Sequence, residues 1–226
     1  MPAPRPLRRP VAVIFDMDGL MLDTEPLAAR AWGDAAAALG VEFDMTLAPA
    51  MVGRNFADCA TMVRARYGAG YPVDALLGRW HATYDGIVER EGLTMKPGVG
   101  ELLDWLDTMA IPRAVATSTR RERARAKLVR TALLPRFHEI VGGDDVARGK
   151  PAPDIYIEAA HRLGVNAGDC LVLEDSEPGV RAALAARMTP IMVPDMRPPP
   201  ADLLAIDLLI LPTLREVLRH LAELPS

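Results

Sequence analysis

A run of apolar residues that ends in two aspartates constrains this chain more than any other stretch. Residues 11–15 read Val-Ala-Val-Ile-Phe, between Pro10 and an Asp-Met-Asp-Gly segment. Such a run is typical of a strand buried on both faces, and in parallel sheets ligands bind at the carboxyl ends of the strands. Asp16 and Asp18 lie two residues apart, so in an extended chain their side chains point the same way. Each carboxylate would raise the pKa of the other unless a cation lay between them, which favours a metal site.

Two alternatives for this Asp-Gly segment fit the sequence less well. A hairpin turn would need an alternating strand after Gly19, whereas residues 20–26 lead into a helix. In an EF-hand loop the invariant glycine comes later than Gly19 does, and the fifth position would here be Leu20.

The composition disfavours several functional classes. The 226 residues carry a net charge of −4, which is unfavourable for binding nucleic acid through its phosphates. Cys59 and Cys170 lie far apart, and the four histidines show no ligand spacing, so we expect neither a disulfide framework nor a zinc site. Residues 1–10 are expected to form a loose arm. No apolar stretch after them is long enough for a signal peptide or a membrane span, which predicts a cytoplasmic protein.

The hydrophobic pattern divides the chain into two parts. A helix begins after Thr24, which we take as its N-cap, and ends at Gly40. Residues 41–91 show helical stretches at 56–67 and 73–90 but no strand. Beyond a helix that ends at residue 109, strands at 113–117, 139–141, 170–173, 191–193 and 208–211 alternate with helices at 121–131, 154–163, 178–186 and 214–221. This alternation predicts an α/β fold, a Rossmann-like parallel sheet core with an inserted α-helical cap domain. The core would comprise residues 1–23 and 92–226, and the cap residues 24–91, with loops at 51–55 and 194–200.

Three further segments bring polar groups to the same sheet edge. Thr117-Ser118-Thr119 lies at the end of one predicted strand, Glu174-Asp175 follows another, and Lys150 lies between a glycine and a proline. The ordinary alternatives are a helix N-cap for Thr117 and a solvated side chain for Lys150, and we take Ser176 as an N-cap. So many acids cannot all stay ionised in a small volume without a cation, and an all-oxygen ligand set indicates Mg²⁺. Mg²⁺ often binds together with a phosphate substrate, whose charge the lysine and hydroxyls would neutralise.

In the order and spacing of these segments the sequence resembles the haloacid dehalogenase superfamily, within it the sugar-phosphate phosphatase and β-phosphoglucomutase-like branch. The matching segments are Phe-Asp-Met-Asp-Gly-Leu-Met-Leu-Asp-Thr-Glu-Pro at 15–26, Val-Ala-Thr-Ser-Thr at 115–119, Gly-Gly-Asp-Asp-Val at 142–146, Gly-Lys-Pro-Ala-Pro-Asp at 149–154 and Leu-Glu-Asp-Ser at 173–176. The resemblance implies that Asp16 is the nucleophile. It also implies that Asp18 protonates the leaving oxygen and then activates water.

The remaining site residues that the resemblance implies fall into three groups. The phosphoryl oxygens would be held by Thr117, Ser118, Gly19 and Lys150. A Mg²⁺ ion would be held by Asp16, Asp175 and the backbone carbonyl of Asp18, with Glu174 as a further or water-mediated ligand. The rest of the substrate would meet two groups of the cap, Glu25 and Arg54.

The resemblance implies a Mg²⁺-dependent phosphatase of small phosphomonoesters, such as sugar phosphates or nucleoside monophosphates, that forms an aspartyl-phosphate. A phosphohexomutase of the β-phosphoglucomutase type is one alternative, but Ala28 stands where mutases have a cap histidine. A catalytically silent phosphate-binding protein is another, which the intact set of acids disfavours. We expect a small phosphorylated metabolite as partner, no nucleic acid or membrane, and a monomer or weak dimer. Relatives often have glycine where this chain has Ala110 and Arg187, which in a left-handed conformation cost about 1 kcal/mol each.

Overall fold

Six parallel strands form the centre of the protein in a computed structural model that describes residues 9–51, 54 and 56–224. The strands are β1 (Ala12–Phe15), β2 (Arg113–Ala116), β3 (Glu139–Val141), β4 (Cys170–Glu174), β5 (Thr189–Met192) and β6 (Leu209–Ile210). They lie in one sheet in the order β3-β2-β1-β4-β5-β6. Phe15 pairs with Val115 on β2 and with Leu173 on β4, so three neighbouring strands end at the same level. The polar residues that follow them must therefore meet at one edge.

Helices cover both faces of this sheet. The helices of the described residues are α1 (Glu25–Ala38), α2 (Ala48–Met51), α3 (Phe56–Tyr67), α4 (Val73–Glu91), α5 (Val99–Thr108), α6 (Arg121–Arg130), α7 (Asp154–Leu163), α8 (Glu177–Ala185), α9 (Ala201–Leu204) and α10 (Leu214–Ala222). Val13 and Phe15 of β1 pack into the core that contains α5, α6 and α10, whereas Ala12 and Ile14 pack into the core that contains α7 and α8. The two-residue alternation of a strand thus fills both cores with apolar residues, as the continuous apolar run predicted.

Helices α1 to α4 pack around a hydrophobic cluster of their own, which includes Trp32, Leu76 and Ile87. The described residues of segment 24–91 contain no strand. The chain enters and leaves this segment side by side, because the Asp23 amide donates to the Thr94 carbonyl at 2.9 Å. The division into a core and a cap domain remains a prediction that this packing favours.

The predicted elements agree with the observed ones to within one or two residues, but some were missed. Helices α2 and α9 and three short 3₁₀ turns, at Met45–Leu47, Leu134–Arg136 and Ala167–Asp169, were not predicted. Helix α2 shortens the loop predicted at 51–55, of which residues 52, 53 and 55 lie outside the described residues, as do residues 1–8 of the predicted arm. Strand β5 begins at Thr189 because Leu171 and Thr189 are already paired.

Backbone details at several helix and strand junctions were predicted with mixed success. Ser176 caps α8 as expected, accepting from the Gly179 amide, whereas Thr24 precedes α1 but makes no capping bond with its side chain. Ala110 and Arg187 are left-handed, with φ of 51° and 61°, and Ala132 is a third such position that was not predicted. Among the described residues, none of the helices combines the length and apolar character needed to cross a bilayer.

Candidate active site

A buried lysine joins three of the strand ends. Lys150 lies in the connection between β3 and α7, and its Nζ donates to Asp16 Oδ1 at 2.5 Å, to Glu174 Oε1 at 2.5 Å and to the Ala116 carbonyl at 3.1 Å. The Lys150 side chain is only 1% exposed. These contacts gather the residue after β1 and the last residues of β2 and β4 around one ammonium group, so Lys150 is not the solvated side chain of the alternative interpretation.

The charges at this edge do not balance. Burial raises the pKa of Asp16 to about 8, against the opposing effect of the Lys150 charge. Burial and the neighbouring carboxylates raise the pKa of Asp175 well above its usual range. Burial would lower the pKa of Lys150, but Asp16 and Glu174 outweigh it and raise that pKa, which keeps the amine protonated. One positive charge therefore faces three buried acids, and the site favours a further cation.

The acids are placed to accept such a cation. Asp16, Glu174 and Asp175 each offer an oxygen within 4.8 Å of the others, and all three residues are buried. Neither carboxylate oxygen of Asp175 has a hydrogen-bond partner among the described residues, which is costly for a buried group. Gly19 has a φ of +87°, and a Cβ there would lie 2.4 Å from Asp175 Oδ2. An all-oxygen set with an orphaned carboxylate fits a hard divalent cation.

Glu174 differs from Asp175 because its oxygens already have partners. The Tyr156 hydroxyl donates to Glu174 Oε1 at 2.6 Å, alongside Lys150. The Ser176 amide and hydroxyl donate to Oε2 at 3.0 and 2.9 Å. Glu174 is therefore suited to holding Lys150 in place, and its predicted role as a water-mediated metal ligand fits this arrangement better than direct ligation.

The second aspartate of the motif faces other groups. Lys127 Nζ donates to Asp18 Oδ1 at 2.6 Å and the Thr119 hydroxyl donates to Oδ2 at 2.7 Å. Burial opposes ionisation of Asp18, but the Lys127 charge and these hydrogen bonds lower its pKa. With both carboxylate oxygens engaged, the backbone carbonyl is the part of Asp18 that remains for a metal, as the resemblance implies.

Sequence reasoning missed Lys127 and Tyr156. Lys127 is one of many charged residues on α6, and only its position between the buried residues Ala124 and Leu128 hints that it lies beside the core. Tyr156 lies on the buried face of α7, where an aromatic residue ordinarily indicates packing.

A cavity of about 110 Å³ brings the remaining predicted residues together above Asp16. Its lining includes six of the predicted site residues, namely Asp16, Asp18, Thr117, Ser118, Glu25 and Arg54. Burial and then the Asp18 charge raise the pKa of Glu25 to about 7. Thr117 does not cap a helix, since Arg120 is the residue before α6; its hydroxyl accepts from the Thr119 amide at 3.1 Å. The structure thus places every predicted site residue at this edge or in this cavity.

Comparison with known families agrees with this fold. Residues 11–187 match the haloacid dehalogenase-like hydrolases, and the chain belongs to this family of hydrolases. The predicted family and the predicted α/β fold are thereby confirmed.

Several relatives are named after activities on phosphate esters. The chain is 35% identical over 199 residues to (DL)-glycerol-3-phosphatase 2 of Arabidopsis thaliana, covering 82% of this chain and 80% of that protein. It is 32% identical over 195 residues to β-phosphoglucomutase of Bacillus subtilis, covering 83% and 84%. The crystal structure of CbbY from Rhodobacter sphaeroides in complex with phosphate, at 28% identity, superposes with a TM-score of 0.78 over 92% of this chain and 96% of that chain.

One relative is much longer than this chain. The bifunctional riboflavin kinase/FMN phosphatase of Arabidopsis thaliana is 30% identical over 185 residues, which cover 81% of this chain but 48% of that protein. The chain therefore spans about half the length of this relative.

Proposed function

We propose that this protein is a Mg²⁺-dependent phosphatase of small phosphomonoesters that works through an aspartyl-phosphate. The observation that carries the proposal is the buried Lys150, bonded to Asp16 and Glu174 beside an Asp175 carboxylate without partners. A nucleophilic carboxylate can approach a phosphate dianion only where positive charge offsets the repulsion. The relative named as a glycerol-3-phosphatase, matched over most of both chains, supports this reaction class.

The proposed reaction has two displacement steps at phosphorus. Asp16 attacks the phosphorus atom, the bond to the leaving oxygen breaks, and Asp18 gives that oxygen a proton. Water then attacks the phosphorus atom, Asp18 takes the proton, and the bond to Asp16 breaks. Asp16, Asp175 and the Asp18 backbone carbonyl would hold Mg²⁺, which supplies positive charge to the phosphoryl oxygens when bound. Thr117, Ser118 and Lys150 would orient the same oxygens.

In the arrangement described, Asp18 is better placed to accept a proton than to give one. The hydrogen bonds from Lys127 and Thr119 favour its ionised form. Asp18 must therefore turn away from Lys127 before it carries the proton. Lys127 also lies 5.1 Å from the ring centroid of Tyr84 on α4, so a movement of the helices at 24–91 would change the contacts of Lys127. We propose that these helices form a lid whose closure excludes water from the site.

A test of the nucleophile uses a panel of phosphomonoesters, with Mg²⁺ or with EDTA. Asp16→Asn should abolish turnover and retain the far-UV circular dichroism spectrum, and EDTA should silence the parent protein. The matched control is Asp34→Asn, which changes an exposed acid on α1. Full activity of Asp16→Asn, or activity that does not depend on a divalent cation, would contradict the proposal.

The mutase alternative is tested at the same site. A mutase needs a cap group that deprotonates a second sugar hydroxyl, and Ala28 in the cavity wall can neither accept nor donate a proton. We expect β-glucose 1-phosphate, if turned over, to give inorganic phosphate and no glucose 6-phosphate. Glucose 6-phosphate formed faster than phosphate in a coupled assay would favour the mutase instead.

A further inference from the structure

The side of the cavity formed by the 24–91 segment is walled by aromatic rings. Four rings of the predicted cap line it: Trp32, Phe56, Trp80 and Tyr84. They form a continuous surface, because the Trp80 centroid lies 4.8 Å from Phe56, 5.0 Å from Tyr84 and 5.4 Å from Trp32. The flat faces of Trp80 and Tyr84 are stacked, with an angle of 13° between them.

Two polar atoms of this wall are already bonded within the protein, whereas the buried Tyr84 hydroxyl has no hydrogen-bond partner among the described residues. The Trp80 indole N–H donates to the Ala28 carbonyl at 3.1 Å, and the Cys59 thiol donates to the Met51 carbonyl at 4.0 Å. The charged groups that the 24–91 segment adds to the cavity lining are Glu25 and Arg54. A leaving group whose hydroxyls packed against these ring faces would lose its hydration there without gaining hydrogen bonds from the rings.

The aromatic wall also borders a second, larger space. A cavity of about 490 Å³ is lined by Phe56, Trp80 and Tyr84 and extends towards His81, whose ring stacks on Phe56 at 4.2 Å. Thr119 and Lys127 line both cavities, so the two spaces adjoin at the catalytic edge. There is room beyond the phosphate position for a group larger than a three-carbon polyol.

We propose that the preferred substrates are phosphate esters whose leaving group carries a flat aromatic ring packed against Phe56, Trp80 and Tyr84. Polar atoms at the ring edge would meet Glu25 and Arg54. This inference rests on the proposed phosphatase activity and specifies its substrate class. Aromatic rings gain contact energy from stacking on other rings, whereas hydroxyls do not.

The test compares two phosphate esters of primary alcohols, benzyl phosphate and glycerol 3-phosphate, with Mg²⁺. The parent protein should turn over benzyl phosphate with a kcat/KM about tenfold or more above that of glycerol 3-phosphate, because a ring stacked on the aromatic wall gains contact energy that glycerol cannot gain. Phe56→Leu keeps an apolar side chain but removes the flat face. It should lower kcat/KM for benzyl phosphate about fivefold, mainly through KM, the middle of the range for a stacking contact, and leave glycerol 3-phosphate within about twofold.

The matched control is Phe43→Leu. Phe43 stacks on Trp32 at 5.4 Å, as Phe56 contacts the same ring at 6.2 Å, but Phe43 is not among the residues that line either cavity. Phe43→Leu should leave both substrates within about twofold of the parent protein, since it removes no stacking surface from the cavity. Equal losses in the two variants, or an equal loss on both substrates in Phe56→Leu, would show that packing alone matters and would overturn the proposal.

Acetyl phosphate separates the two ways of failing. If the protein hydrolyses acetyl phosphate and prefers glycerol 3-phosphate to benzyl phosphate, the aromatic substrate class is wrong and the phosphatase stands. If it hydrolyses none of the three with Mg²⁺, the phosphatase itself is wrong.

Discussion

In the buried triad of Asp16, Lys150 and Glu174, we predict that substitutions of different members change the stability of the protein by unequal amounts. The Lys150 side chain is 1% exposed and those of Asp16 and Glu174 are 8% and 0% exposed, so water cannot replace the ammonium. Lys150→Met leaves buried carboxylates uncompensated, which costs about 3–5 kcal/mol. Asp16→Asn instead removes one acid from a crowded site in which burial raises the pKa of Asp16 to about 8. Without metal, Asp16→Asn should therefore leave stability unchanged or increase it.

Urea unfolding at pH 7.5 in EDTA, followed by far-UV circular dichroism, measures both effects. With an m-value of about 2.5 kcal/mol per molar urea, a loss of about 4 kcal/mol lowers the midpoint by about 1.6 M. The Lys150→Met midpoint should fall by about that amount, while the Asp16→Asn midpoint stays at or above that of the parent. If the site were a simple ion pair, replacing either partner would lower the free energy of unfolding by a similar amount. Equal losses in the two variants, or a Lys150→Met midpoint within about 0.3 M of the parent, would refute the reasoning.

Three further predictions concern single residues. The folded pKa of Glu25, about 7, lies above its ordinary value of 4.5, so its contribution to stability is complete below pH 4.5 and is lost as the pH rises through 7. The urea midpoint of Glu25→Gln should exceed that of the parent at pH 8 and nearly match it at pH 5. The same difference at both pH values would contradict a raised pKa of Glu25 in the folded protein. Gly19→Ala places a Cβ 2.4 Å from Asp175 Oδ2, whereas at Gly40, with a φ of +66°, a Cβ would meet nothing within 4 Å. Gly19→Ala should raise the Mg²⁺ concentration for half-maximal activity about tenfold or more and Gly40→Ala should not, a contrast that Mg²⁺ titrations of activity would reveal or exclude. Ala110→Gly, at a φ of 51°, should raise the free energy of unfolding by about 1 kcal/mol in urea titrations, and a loss instead would show that the left-handed alanine is not strained.

Local patterns in the sequence were enough to predict the fold. Within the apolar run at 11–15, residues 12–15 fill both cores while Val11 is exposed, and that burial on both faces leaves a continuous apolar pattern in the sequence. Helix α7 was predicted at its observed bounds because its apolar positions recur at helical spacing and Gly164 ends it in a left-handed conformation. Helix α9 was missed because its four residues follow a proline-rich loop and are too few to show a period.

Most of the predicted site residues lie at the ends of strands, whereas the two that were missed lie on helices α6 and α7. Asp16, Thr117 and Asp175 each come directly after a buried strand, so the sheet itself brings them together. Lys127 reaches Asp18 only because α6 packs beside the sheet, and that packing selects one cation among several on the same helix. Such a choice depends on tertiary contacts, which no local pattern records. The same holds for the aromatic wall, whose rings come from three separate helices.

The two connections between the sheet and the 24–91 segment lie side by side, and this placement affects how the chain can be rearranged. Leu22 and Met95 form an antiparallel bridge, and the Lys96 amide donates to the Met21 carbonyl at 2.8 Å, so the two ends of the segment are already joined. A short turn between them would close the chain without stretching the backbone. Because the chain enters and leaves the 24–91 segment at the same place, helical segments of different lengths could be exchanged between family members. The strands that carry the acids would keep their register.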